Sequence, residues 1–103
     1  MTEAVATDEF TAWYEALGVD HQEEIRYLVG LLEQRGVTLG HPYSSALKGT
    51  KEPLRELRGT VGKAELRVVY AFDPRRDAVL LVGGDKSGDK RFYERIISRA
   101  EEI

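Results

Sequence analysis

The sequence predicts an α+β domain in which two N-terminal antiparallel helices pack on a curved antiparallel β-sheet, followed by a C-terminal helix. Two observations predict this fold class. Apolar residues recur at helical spacing up to residue 36 and again after residue 89, whereas residues 54–83 have the alternating or continuous apolar pattern of strands. The 103 residues contain no linker or repeat, which predicts a single domain over residues 1–103.

Two helices are predicted before residue 37. The first is capped by Asp8 and ends at Gly18. The second begins at a capping box of Asp20 and Glu23 and ends at Gly36. Each has an apolar stripe, formed by Phe10, Trp13, Tyr14 and Leu17 in the first and by Ile25, Leu28, Val29 and Leu32 in the second. We interpret both stripes as core, which excludes the aromatic pair of the first helix as base-stacking residues.

Three antiparallel strands are predicted after a loop over residues 37–53. They comprise residues 54–59, 64–72 and 78–83, and the sequence DPRRD forms the turn before the last strand. Alternate residues from Ala64 to Phe72 form an apolar face that we expect to lie against the helices, while Arg67 points to the opposite face. The third strand is almost wholly apolar, which favours an interior position. A short strand around Glu3–Ala6 would extend the sheet.

The last helix is predicted from about Asp89 to the end of the chain. Its core stripe comprises Phe92, Ile96, Ala100 and Ile103, and a second, basic stripe comprises Arg91, Arg95 and Arg99. The glycine-rich segment before it suggests a phosphate loop. However, Asp89 stands where a Walker motif requires lysine, so nucleotide binding is disfavoured.

The composition excludes several kinds of site. The absence of cysteine excludes disulfides and thiolate metal sites, and the two histidines, which lack metal-ligand spacing, disfavour zinc. No apolar run reaches the ~20 residues that span a bilayer, and the acidic N-terminus lacks the features of a signal peptide. We therefore expect a cytoplasmic protein with no metal, no cofactor and no membrane contact.

Charge is distributed unevenly along the chain. The net charge is −3, but residues 1–47 hold two basic and eight acidic side chains, and residues 48–99 hold thirteen basic and eight acidic ones. Such a chain can bind a polyanion through one face while the other face repels it. The alternative is a chance asymmetry of a solvated surface.

Seven side chains of the basic half are expected to converge on the sheet face opposite the helices. They are Arg55, Arg58, Arg67, Lys86, Lys90, Arg91 and Tyr93. Cations with one phenol suit RNA cleavage by its own 2′-hydroxyl, in which a base takes the proton, cations stabilise the phosphorane and an acid protonates the leaving oxygen. Neighbouring cations depress one another's pKa, which would let a lysine or tyrosine act as base near neutral pH. The alternative is a charged surface balanced by Glu52, Glu56 and Glu65.

Four segments resemble the HigB-like, phage-derived branch of the RelE toxin superfamily. They are LKG at 47–49, LRELR at 54–58, LRVVYAFDPRR at 66–76 and AVLLVGGDKSGDKRFYERII at 78–97, and the resemblance covers roughly residues 8–103. It implies a RelE-like fold and a type II toxin that cuts mRNA in the ribosomal A site without a metal. It also implies a cognate helix-turn-helix antitoxin in a hetero-oligomer, and a chain that continues slightly past Ile103.

The resemblance also assigns roles to residues. Arg67 matches the arginine that contacts the scissile phosphate, and Arg58 matches the strand arginine before it. Lys86 matches the lysine that closes the last strand, and Tyr93 matches the tyrosine of the final helix, a candidate base or stacking platform. These four are the expected catalytic residues. The expected RNA-binding residues are Lys48, Lys51, Arg55, Lys90 and Arg91.

Some positions depart from the family pattern. Leu54 and Glu56 stand where RelE has lysines, and Ser87 stands where an arginine acid is expected, with Lys90 or Arg91 as substitutes. The identities of acid and base therefore stay open. These departures keep two other readings open: a binding module that has lost catalysis or poisons a protein such as gyrase, and a phage-derived domain with a structural or regulatory role.

Overall fold

The computed structural model describes residues 2–103, which form three α-helices and a five-stranded sheet. Its elements are β1 (Ala4–Ala6), α1 (Asp8–Glu15), α2 (Val19–Arg35), a 3-10 turn (Gly36–Thr38), β2 (Ser44–Ala46), β3 (Arg55–Val61), β4 (Ala64–Phe72), β5 (Ala78–Asp85) and α3 (Phe92–Glu102). No helix in this part of the chain has the length and apolar character needed to cross a membrane.

The sheet has the strand order β1-β5-β4-β3-β2. The predicted antiparallel meander of β3, β4 and β5 is confirmed, and β5 has the interior position that its apolar sequence favours. The prediction of a wholly antiparallel sheet is wrong, because β1 pairs with β5 in parallel. The sheet also contains β2, which lies inside the predicted loop and pairs with β3. Its three residues are too few to show a strand pattern.

Two cores lie on opposite faces of the sheet. On one face α1 packs against β5 and α2 against β3, and Leu66, Val68 and Tyr70 of β4 are buried there, as predicted. On the other face α3 covers β4 and β5. The face that carries Arg67 is therefore a second core rather than an open surface. Ile103, predicted as core, is 46% exposed because α3 ends one residue earlier.

The helix ends differ from the predicted ones. The N-cap of α1 is Thr7, not Asp8, and its hydroxyl accepts a hydrogen bond from the Phe10 amide at 3.1 Å. The Thr7 hydroxyl also donates to carbonyls of β5, which ties the start of α1 to the sheet. The predicted capping box at Asp20 is absent, since α2 begins at Val19 after Gly18. The antiparallel pairing of α1 with α2 and the curvature of the sheet stay predictions.

Two glycines near the end of β5 allow a helix to approach each face of the sheet. A Cβ on Gly83 would collide with the ring of Trp13 from α1. A Cβ on Gly84 would lie 2.8 Å from the ring of Phe92 at the start of α3. These two positions therefore fix how closely α1 and α3 pack on β5, which gives the glycine-rich segment a structural role.

Candidate active site

Arg67 lies at the centre of a buried polar cluster between β4 and α3. Its side chain is only 4% exposed. Its Nε lies 3.6 Å from Oε1 of Glu56 and donates to the Tyr93 hydroxyl at 3.4 Å. Its Nη1 donates to the Leu66 carbonyl at 2.9 Å. Nη2 lies 3.7 Å from Oε1 of Glu65. The predicted phosphate ligand thus has two carboxylates beside it in this structure.

Glu56 connects the members of this cluster. It occupies β3, is 6% exposed, and accepts a hydrogen bond from the Tyr93 hydroxyl at 2.8 Å. Its second oxygen accepts from the Ser45 hydroxyl at 3.0 Å. A buried carboxylate is stable only when charges and donors surround it, and Glu56 has one cation and two hydroxyl donors. Glu56 therefore fixes Arg67 and Tyr93 relative to each other.

Tyr93 is a poor candidate for a base near neutral pH. Burial raises its pKa above the ordinary value of 10.0, and the hydrogen bond to Glu56 acts in the same direction, against the lowering effect of Arg67. Arg67 does lower this pKa, as expected of a neighbouring cation, but burial and Glu56 outweigh it, so the expectation that Tyr93 acts as a base near neutral pH is not supported. At neutral pH Tyr93 is a phenol that donates a proton or offers its ring.

Lys86 and Arg67 are joined through one carboxylate oxygen. Lys86 follows β5, and its amide donates to the Glu65 carbonyl at 2.8 Å. Its ammonium lies 3.4 Å from Oε1 of Glu65, the oxygen that also faces Arg67. The Lys86 side chain is 31% exposed, so it can reach a ligand that Arg67 cannot reach without moving.

Arg58 is directly opposite Arg67 in the β3–β4 register, so the two share one face of the sheet. It differs from Arg67 in its surroundings. No ion pair links it to any carboxylate of residues 2–103, and its Nε is buried without a hydrogen-bond partner. The four predicted catalytic residues, Arg58, Arg67, Lys86 and Tyr93, therefore lie around one region of the sheet.

The predicted RNA-binding residues do not form one set. Arg55 is on the opposite face, where its guanidinium donates to Ser44, Tyr70 and the Leu39 carbonyl, so its predicted convergence with Arg67 is wrong. The Lys51 amide donates a hydrogen bond to the Glu101 carboxylate. Glu101 is near the C-terminal end of α3, about 12 Å along the helix axis from Tyr93.

Three of the predicted RNA-binding residues remain near the cluster. Lys48 is exposed and borders an open groove of about 280 Å³ whose wall includes Glu56 and Tyr93. Lys90 and Arg91 are exposed and immediately precede α3. Cations therefore flank the cluster on two sides. Within residues 2–103, no group of three or more histidine or acidic side chains is arranged to hold a metal ion.

Comparisons with known proteins identify the family and the fold of this chain. Residues 12–103 match the model of a family described as phage-derived protein Gp49-like. The chain belongs to this phage-derived Gp49-like family. Two Mycobacterium tuberculosis proteins named as candidate toxins are related to it. HigB3 is 39% identical over 94 residues, which are 87% of this chain and 79% of HigB3. HigB2 is 32% identical over 99 residues, which are 93% of this chain and 49% of HigB2, so the chain spans about half of HigB2.

Two solved structures share the fold. A double mutant of the Escherichia coli toxin RelE in the free state superposes with a TM-score of 0.62 at 10% identity, over 92% of this chain and 94% of that one. A chain of an archaeal RelE–RelB complex from Pyrococcus horikoshii superposes with a TM-score of 0.61 at 18% identity, over 85% of this chain and 97% of that one. HigB3 shows that this Gp49-like chain is HigB-like, and the two solved structures show that it has the RelE fold.

Sequence reasoning missed the central role of Glu56 and Ser45 in this Gp49-like chain. Glu56 was visible only as a counter-charge and as a departure from RelE. Its position one residue before Leu57, a core residue of β3, indicates that it points to the face opposite α2. Ser45 gives no such signal, because the strand that positions it is only three residues long.

Proposed function

We propose that this protein is the toxin of a type II toxin–antitoxin module and acts as a ribosome-dependent endoribonuclease on mRNA. The observation that carries the proposal is the placement of Arg58, Arg67, Lys86 and Tyr93 around one carboxylate cluster in a fold of the RelE type. Membership of a family whose relatives are named as candidate toxins supports the same assignment.

The proposed reaction is transfer of the scissile phosphate to the RNA's own 2′-hydroxyl. The 2′-oxygen attacks phosphorus, the bond to the 5′-oxygen breaks, and the products carry a 2′,3′-cyclic phosphate and a 5′-hydroxyl. Arg67, Arg58 and Lys86 supply positive charge for the phosphorane, so the step needs no metal or cofactor. Tyr93, a phenol at neutral pH, donates a hydrogen bond or stacks on a base.

Engagement of the phosphate by Arg67 requires the cluster to open. Arg67 exchanges its contacts with Glu56 and Glu65 for the phosphate oxygens, and ribosome-bound mRNA supplies the binding energy for this exchange. We expect free RNA, which lacks the contacts made on the ribosome, not to drive it. This explains why a site with two carboxylates beside its main arginine would act only on the ribosome.

The proposed partners follow from the same surface. An exposed cationic rim at Lys48, Lys90 and Arg91 in a cytoplasmic protein needs a cover when the toxin is inactive. A cognate helix-turn-helix antitoxin, bound in a hetero-oligomer, would provide it. Co-expression with the product of the neighbouring gene should abolish growth arrest and yield a stable complex. If neither occurs with that product, the module assignment is wrong.

The test of the nuclease is induction in cells followed by mapping of mRNA ends. Cuts should appear in translated mRNA at a fixed phase relative to codons, and they should vanish in Lys86→Gln and Arg58→Gln variants. Arg75→Gln, which removes an exposed charge from the turn after β4, is the matched control and should cut normally. Equal cutting by all four proteins would contradict the assigned site.

A second candidate function is a toxin that binds a protein target without cutting RNA. The observation that favours it is the neutralisation of Arg67 by Glu56 and Glu65. Growth arrest with intact mRNA and induction of the DNA-damage response would identify this function. Growth arrest with cleaved mRNA and no such response would exclude it.

A further inference from the structure

A groove borders Arg58 and Arg67 on the side away from the groove that contains Glu56 and Tyr93. It lies at the edge of β3, where β2 begins at Ser44 opposite Leu57, so no strand neighbours β3 beyond Leu57 on that side. The groove is open and has a volume of about 320 Å³. Its lining residues are Glu24, Pro42, Tyr43, Arg58, Gly59, Thr60 and Arg67.

We propose that this groove binds one nucleotide of a single-stranded RNA adjacent to the scissile phosphate, with the base on the ring of Tyr43 and a phosphate on Arg58. The proposal rests on the proposed nuclease function and adds to it a second binding subsite. It also assigns Tyr43 a role that the sequence did not suggest.

The first support is the state of the Arg58 guanidinium. Its Nε is buried from solvent and has no hydrogen-bond partner. Within residues 2–103, no carboxylate forms an ion pair with the guanidinium. A buried N–H without an acceptor is unfavourable, so a rotamer that gives this N–H an acceptor would be favoured. Rotation into the groove lets Nε and one Nη donate together to a phosphate, which is the geometry that arginine prefers.

The second support is the rigidity of the Tyr43 ring. Tyr27 from α2 packs edge-on against it, with ring centroids 6.3 Å apart and an interplanar angle of 78°. The Arg35 guanidinium lies 6.0 Å from its centroid. Arg35 lies over one face of the Tyr43 ring, so the two contacts hold the ring in place, and a base would stack on the part of Tyr43 that lines the groove.

The third support is the fixed spacing between the two groups. The Arg58 amide donates to the Tyr43 carbonyl at 2.9 Å, so the two backbones are joined at the groove. The groove also reaches Arg67, which connects it to the proposed reaction centre. A phosphate and a base of one nucleotide can therefore contact Arg58 and Tyr43 while the neighbouring phosphate approaches Arg67.

Glu24 is the one carboxylate of the groove, and it opposes binding of an anion. It makes no ion pair with Arg58, and burial holds its pKa above the ordinary value. Replacement of Glu24 by glutamine should therefore strengthen RNA binding at neutral pH. This expectation separates a phosphate subsite from a purely apolar cleft, where removal of the charge would not matter.

The test uses the full chain and a trinucleotide RNA with 2′-O-methyl groups, which cannot be cleaved. Titration in a ¹⁵N-labelled sample should shift the Arg58 Nε–H and Tyr43 amide resonances. By fluorescence anisotropy with the same RNA, Tyr43→Leu should bind about tenfold more weakly, within the range for loss of one stacking ring. Tyr43→Phe should bind like wild type, and Arg75→Gln should weaken binding less than Arg58→Gln.

The outcomes distinguish this subsite from the proposed nuclease. RNA binding that depends on Tyr43 and Arg58, with no mRNA cleavage in cells, would support the groove and contradict the nuclease. Cleavage unaffected by Tyr43→Leu, with no resonance shift at Arg58, would overturn the groove alone. The amide spectrum of each variant shows whether it is folded. If Tyr43→Leu does not fold, Tyr43→Phe provides the test, because the RNA must still shift the Arg58 Nε–H resonance in that variant.

Discussion

The Glu56→Gln substitution tests whether this carboxylate holds the candidate active site together. Glutamine keeps the size and one acceptor oxygen but removes the charge. The carboxylate accepts from Tyr93 at 2.8 Å and from Ser45 at 3.0 Å, and it faces the buried Nε of Arg67 at 3.6 Å. All three interactions weaken in the variant, and Arg67 is left with Glu65 as its remaining counter-charge.

The expected loss of stability follows from these contacts. A hydrogen bond to a charged group contributes about 1 kcal/mol more than one between neutral groups, which gives about 2 kcal/mol for the two hydroxyl donors. Breaking a buried ion pair costs about 3–5 kcal/mol, but Glu65 retains part of that interaction. We therefore expect the free energy of unfolding to fall by about 2–4 kcal/mol, measured by urea denaturation at pH 7.

Glu65→Gln is the matched control, because this carboxylate also faces Arg67 but its side chain is 42% exposed. Exposed ion pairs contribute about 0–1 kcal/mol, so this variant should unfold close to wild type. A cycle that adds Arg67→Gln to Glu56→Gln should show a coupling of about 1–3 kcal/mol. If Glu56→Gln is no more destabilising than Glu65→Gln, the organising role given to Glu56 is wrong.

Three further predictions concern other groups. Because the pKa of Tyr93 is raised in the folded state, its contribution to stability is present below about pH 10 and lost as pH rises through the raised value. Urea melts from pH 8 to 11 should thus show a steeper decline for wild type than for Tyr93→Phe, and parallel curves would contradict this. The pKa of Glu24 is also raised, so Glu24→Gln should stabilise the protein at pH 7, and the gain should shrink towards pH 4, again by urea melts. Gly83→Ala should lower the free energy of unfolding by about 1–3 kcal/mol, because the new methyl group collides with Trp13. Gly30→Ala in α2 is the control: its methyl group would meet nothing within 4 Å, so it should raise the free energy of unfolding by about 0.5–1 kcal/mol. Equal thermal midpoints for the two variants would refute the close packing of α1 on β5.

Local patterns predicted most of the secondary structure and the apolar face of β4. Residues such as Leu66, Val68 and Tyr70 alternate, and alternation alone assigns them to one face. The same rule could have corrected the prediction for Arg55. It is three residues from Arg58 on one strand, so the two must point to opposite faces.

The surroundings of the site residues could not be predicted in the same way. The burial of Arg67 depends on how α3 packs across β4 and β5, which is a tertiary contact between segments far apart in sequence. The contact between Tyr93 and Glu56 joins residues 37 positions apart and requires the register of β3 with β4. The raised pKa of Tyr93 results from that contact and from burial, and no sequence motif encodes either.

The chemistry of the cut ends tests the central claim most directly. Purified protein is added to ribosomes that hold a defined mRNA codon in the A site, and the new ends are identified by their requirement for phosphatase or kinase before ligation. The proposal predicts a 2′,3′-cyclic phosphate and a 5′-hydroxyl, and no cut when the nucleotide before the break carries a 2′-O-methyl group. A 3′-hydroxyl with a 5′-phosphate, or intact mRNA with folded, ribosome-bound protein, would contradict it.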